Sequence, residues 1–143
     1  MKKQIWISII VILVAAFASG VYFLSNQKSK NQPNEISYNR DIRPILSDKC
    51  FLCHGPDAKT RKAGLRLDMQ EGAFAESTIN KGHFAIVPGS AEGSELIRRI
   101  ESTDPAVLMP LPESNLPQLT PEEIALFRQW IKEGAKHEKH WAL

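Results

Sequence analysis

Cysteine occurs only twice in this 143-residue chain, at positions 50 and 53. That is too few for the disulfide framework that staples small exported domains together. No Asp or Glu precedes Glu35, whereas four Lys do. Removing those four from the 18 basic residues leaves 14 against 16 acidic, a net −2 for the rest of the chain. The modest overall excess of +2 thus belongs to the N-terminus, and nothing in the charge pattern points to nucleic-acid binding. Convincing runs of alternating apolar and polar residues are missing, which argues against a sheet. No paired carboxylates and no nucleophile–base constellation stand out, so self-contained acid–base or hydrolytic catalysis is not expected.

What is present is concentrated in five residues, Cys50-Phe51-Leu52-Cys53-His54. C-x-x-C-H is the attachment pattern of c-type haem. Two thiols three positions apart can reach the two vinyl groups of a porphyrin, and the adjacent imidazole can then ligate the iron as the proximal ligand. The competing readings are weaker. A lone Cys50–Cys53 disulfide would staple little. A thioredoxin-like dithiol needs a strand ahead of the motif, and the preceding residues read as an amphipathic helix. Zinc needs four ligands, and His83, His137 and His140 lie far from finger-like spacing.

The N-terminus carries its own signal. Lys2 and Lys3 precede residues 5–24, an apolar run broken only by Ser8, Ser19 and Gly20. As a helix it would span about 30 Å, the thickness of a bilayer core. The flanking lysines predict an N-terminus inside and the remainder outside the bacterial cytoplasmic membrane, in the periplasm. A cleaved signal peptide is the alternative, but the length of the run and the apolar residues 21–24 favour a transmembrane anchor. Residues 25–36 read as a polar tether, and residues 37–143 as one small domain. Export agrees with the haem motif, because c-type haem is attached on the outer face of that membrane.

Within this domain the expected architecture is all-α. A first helix is predicted over residues 41–50, with Pro44 in its first turn; Ile42, Ile45, Leu46 and Lys49 recur at helical spacing, which puts the aliphatic residues on one face. A short extended piece is expected at residues 64–67 and a helical turn at 71–76. A second helix is predicted over 92–101, capped by Ser90 or Ser94. The last helix is the best marked: Thr120 as N-cap, Pro121 at N1, Glu123 completing a capping box, and Gly134 as terminator. Ile124, Phe127, Trp130 and Ile131 supply its buried face. His137 and His140 are expected in solvent. Lys59, Arg61 and Lys62 form a basic cluster, read as a solvated loop or as partners of a haem propionate.

Met109 is the candidate sixth ligand. It sits on a loop stiffened by Pro110 and Pro112, and a thioether raises the potential of the iron, as suits an electron carrier. His83 is the main rival, Met69 a weaker one, and an open coordination site would turn a carrier into a sensor or catalyst.

Several stretches together resemble the planctomycete-type cytochrome c domain. They are Tyr38-Asn39-Arg40-Asp41-Ile42-Arg43-Pro44-Ile45-Leu46-Ser47, the motif with Gly55-Pro56-Asp57, Arg61-Lys62-Ala63-Gly64-Leu65-Arg66-Leu67-Asp68, Ile86-Val87-Pro88-Gly89, Ser94 to Ile100, Met109-Pro110, and Leu119-Thr120-Pro121-Glu122-Glu123-Ile124 through Ala135. The resemblance implies a class I cytochrome c-like fold, a few helices around one covalent haem c. Iron would be held by His54 and Met109. The usual Pro-Pro after the ligand methionine is here Pro110-Leu111-Pro112. The expected function is a membrane-tethered, monohaem one-electron carrier, not an enzyme in itself. Redox proteins outside the cytoplasm are its expected partners, a large exported multidomain protein among the candidates. The alternative is an electron-input or haem-sensing module of a larger exported system.

Overall fold

The structure, a computed structural model, describes residues 35–138. The predicted anchor, residues 25–34 of the predicted tether, and His140 and Trp141 near the C-terminus lie outside the described residues, while Ile36, assigned to the tether, packs on the core. Among the described residues no helix is long and apolar enough to cross a membrane. They form five α-helices and no strand: α1 (Arg43–Lys49), α2 (Phe51–His54), α3 (Gln70–Ala73), α4 (Glu95–Ile100) and α5 (Pro121–Lys132). A single π-helical turn (Tyr38–Ile42) leads into α1, and a 3-10 turn (Pro112–Ser114) precedes α5. Two isolated bridges, Glu76 with Phe84 and Val87 with Ser90, pin the loop between α3 and α4.

The first helical stretch begins earlier than its apolar spacing predicts, because side chains satisfy its free amides. The Ser37 hydroxyl accepts from Arg40 N–H at 3.3 Å. From the far end of the chain, the Glu138 carboxylate accepts from the N–H groups of Tyr38 (3.1 Å) and Asn39 (3.3 Å). A helix start needs acceptors for its unpaired donors, and here one comes from about a hundred residues away. Ile36 also packs on the core, its N–H donating to Glu133 at 3.2 Å.

Helix α4 is shorter than expected. The Ser94 hydroxyl does not cap it; it accepts from Val87 N–H (2.9 Å) and donates to the Ser90 carbonyl (2.7 Å), holding residues 90–94 as a turn. The extended piece expected at 64–67 is likewise a turn: Ala63 and Gly64 both have positive φ, and Leu65 N–H donates to the Lys62 carbonyl. Helix α5 starts as read from its sequence. Thr120 and Glu123 form the reciprocal capping box, and Pro121 occupies the first turn. At its end Gly134 takes φ +100° while Gly134 and Ala135 N–H bond back to the Ile131 and Trp130 carbonyls, the Schellman arrangement.

The core joins one face of each longer element. Tyr38, Ile42 and Leu46 meet Ile97 and Ile100 of α4 and Phe127, Trp130 and Ile131 of α5, all buried. Trp130, 1 % exposed, is a packed core residue whose indole N–H donates to the Lys136 carbonyl at 3.0 Å.

Candidate functional site

The motif lies on one continuous helical turn running out of α1. Cys50 N–H donates to the Leu46 carbonyl, and Cys53 and His54 N–H both return to the Cys50 carbonyl. Residues at i, i+3 and i+4 share a helix face, so both thiols and the imidazole line the same cleft, while Leu52 points away at 57 % exposure. Gly55 ends the turn because a Cβ there would lie 2.3 Å from the Phe51 carbonyl oxygen. The chain then wraps back: Lys62 and Leu67 N–H satisfy the Cys53 and His54 carbonyls, and the Arg61 guanidinium covers those of Gly55 and Pro56. Of the expected basic cluster, Lys62 thereby serves the motif's own backbone and Arg61 the two residues that follow it.

The cleft has a volume of about 620 Å³ and a mainly apolar lining. That size and character suit a large, flat, apolar cofactor. Leu65 and Leu67 come from the loop after the motif, Ala85 from the loop before α4, and Leu96 and Ile100 from α4 itself. Met109 lines the same cleft. Its N–H donates to the Arg99 carbonyl at 3.2 Å, at the end of α4, and the Met109–Pro110 peptide is cis. The Gln118 side-chain amide grips the Pro110 carbonyl at 2.8 Å. Gln118 also accepts, through its own carbonyl, from Lys49 Nζ at 3.1 Å. Lys49 adjoins Cys50, so one residue bridges the motif wall and the methionine wall.

Lys49 itself is 7 % exposed, and its ammonium lies 2.6 Å from Glu123 in the capping box of α5. Sequence spacing sets Lys49 on the same helical period as Ile42, Ile45 and Leu46, but does not show which anion it meets. A buried ammonium needs a paired anion, and the α5 capping carboxylate supplies it.

His83 reaches only the rim of the cleft; it is exposed, with Nδ1 3.8 Å from Glu95. Met69 is exposed and does not line the cleft. His137, expected in solvent, is half-buried instead. Its ring stacks 4.4 Å from Tyr38 and meets Trp130 and Phe74 edge-on. The Schellman turn folds the tail back over α5, which carries His137 under this aromatic roof.

The donor set fits a covalently held haem. Both cysteines are free thiols. Burial pushes the Cys50 thiol up to about 12, the nearby Lys49 charge offsetting only part of this, so Cys50 stays protonated. Thioether formation adds sulfur and hydrogen across each vinyl group, so free, unoxidised thiols are what attachment requires. Burial also holds the His54 imidazole below its ordinary value; the Lys62 backbone opposes this and the Arg99 charge adds to it. A neutral imidazole is the form that binds a metal. Its Nδ1 is buried with no hydrogen-bond partner of good geometry. Among the described residues no group of three or more His, Cys, Asp and Glu is placed to hold a metal ion.

Residues 50–113 match the family model of planctomycete cytochrome C. The match opens on Cys50 and closes just beyond Met109, taking in both walls of the cleft and leaving α5 outside. No curated protein and no solved structure matches the chain. A motif face of two thiols and one imidazole, an apolar cleft of haem-like size and the family match converge: residues 50–113 belong to a planctomycete-type cytochrome c domain, the kind found in haem-binding electron carriers.

Proposed function

We propose that this protein is a monohaem c-type cytochrome that carries single electrons outside the cytoplasmic membrane. One observation carries the reading: two thiols, a neutral imidazole and a thioether, contributed by segments some fifty residues apart, line one apolar cleft. Cys50 and Cys53 would hold the haem through thioether bonds, and His54 and Met109 would supply the protein ligands of its iron. When bound, haem supplies a one-electron iron couple. Met109, a soft ligand, favours the reduced iron and raises the potential. The leucines of the cleft exclude water, which disfavours the more highly charged oxidised state. Lys49, Gln118 and the Arg99 carbonyl keep the two walls at a fixed separation, so that little reorganises when an electron arrives.

The carrier is not itself an enzyme. Residues 5–24 anchor it in the bacterial cytoplasmic membrane with the N-terminus inside, and residues 25–36 tether the haem domain on the periplasmic side. Tethering raises its effective concentration towards redox partners at the same membrane.

The test is the full chain, co-expressed with a cytochrome c maturation system. A haem that survives denaturation, a sharp ferrous α-band and the weak far-red iron–thioether band are expected. Met109→Ala should abolish the far-red band, lower the midpoint potential and let carbon monoxide bind. An unchanged spectrum in that variant would shift ligation to His83, and wild-type protein without covalent haem would refute the reading.

A further inference from the structure

The rim of the cleft is charged where its interior is not. On α4, Glu95 accepts from Arg99 Nε at 2.8 Å and pairs with both Nε and Nη2 of Arg98, with His83 at 3.8 Å. One carboxylate therefore faces two guanidiniums, which leaves a net positive charge at the edge of an apolar cavity. Arg98 is largely exposed and water balances it. Arg99 is half-buried and lines the cleft. Glu95 occupies only its Nε, and neither Nη nitrogen has a protein partner among the described residues. A guanidinium pinned along one edge presents its remaining N–H fork in a fixed direction, the geometry that receives a carboxylate.

On the reading of the cleft as a haem site, we propose that Arg99, oriented by Glu95, binds a propionate carboxylate of the haem. The basic cluster marked in the sequence is less suited to the task. Arg61 is spent on the Gly55 and Pro56 carbonyls, Lys59 does not line the cleft, and Lys62 lines it only as an exposed, unpaired side chain. Arg99 has a second connection, since its backbone carbonyl accepts the Met109 N–H. The same residue would thus neutralise the porphyrin's anionic edge and brace the loop of the sixth ligand.

A cation beside a propionate disfavours the extra positive charge of oxidised iron, so removing it should lower the midpoint potential. The full-length chain, matured with haem, is compared with Arg99→Gln, Arg99→Lys and Lys62→Gln by redox titration and by the propionate-bending band in resonance Raman spectra. Arg99→Gln is expected to lower the potential and shift that band while keeping the far-red thioether band, and Lys62→Gln to leave all three unchanged. If Arg99→Gln matures poorly, Arg99→Lys decides. It keeps the charge but loses the fork, so a shifted propionate band at near wild-type potential supports the assignment and an unshifted band overturns it. An unaltered potential and band in Arg99→Gln, or changes confined to Lys62→Gln, would overturn it too. Wild-type protein lacking covalent haem would instead bring down the haem reading itself.

Discussion

His54 and His137 are chemically alike in this fold and differ in what surrounds them. Burial holds each imidazole below its ordinary value, and each keeps one ring nitrogen buried without a partner, Nδ1 in His54 and Nε2 in His137. His54 opens onto a cleft shared with two thiols and a methionine. His137 is closed in by the rings of Tyr38, Phe74 and Trp130, with its Nδ1 3.2 Å from the Ala135 carbonyl. A neutral buried histidine is therefore no sign of a metal site by itself. The space in front of the ring and the company it keeps make the difference, since a ligand needs a cavity and a packing residue needs none.

That contrast can be broken at several points. Replacing both Cys50 and Cys53 by Ala should abolish covalent haem completely, whereas His137→Gln should retain it in full; pyridine haemochrome measurement on denatured protein separates the two. Trp130→Ala strikes the His137 side. It removes a buried indole that also caps the Lys136 carbonyl, and should cost about 3–5 kcal/mol in denaturant unfolding while leaving the haem spectrum in place. A spectrum lost together with stability would mean that the aromatic cluster shapes the cleft and does not merely close the C-terminal tail.

The smallest effect is that of pH. The ordinary histidine value lies near 6.5, and that of folded His137 is lowered, by burial first, with the Ala135 backbone and the Glu71 charge opposing. The buried Tyr38 phenol faces it and stays neutral throughout this range. Above about pH 6.5 the ring is neutral in folded and unfolded chains and adds no pH dependence. As the pH falls below that value the unfolded chain takes up a proton that the folded one refuses, so stability drops. The drop ends once the folded ring also charges. His137→Gln should flatten this part of a melting-temperature profile, and an unchanged profile would place the titration elsewhere.

The readable parts of the chain share a short range. Cys50, Cys53 and His54 meet because a helix puts i, i+3 and i+4 on one face, and Thr120 with Glu123 closes the α5 capping box within a single turn. The buried face of α5 likewise follows from its period, as Phe127, Trp130 and Ile131 confirm. The first helical stretch was legible except for its start, which depends on Glu138 at the opposite end of the chain.

Local pattern thus determined the all-helical class, the motif face and the best-formed helix, since each rests on hydrogen bonds and side-chain periodicity within a few residues. Tertiary structure decided which distant groups share a space. It brought Met109 to the cleft of His54, paired Lys49 with Glu123, spent Arg61 on the Gly55 and Pro56 carbonyls and set Arg99 at the rim. It also drew His137 out of solvent and into an aromatic cluster. Charge and polarity mark a residue as able to pair, but only the folded chain fixes the partner, because the cost of burying an unpaired group is settled by whatever the fold brings within hydrogen-bond reach.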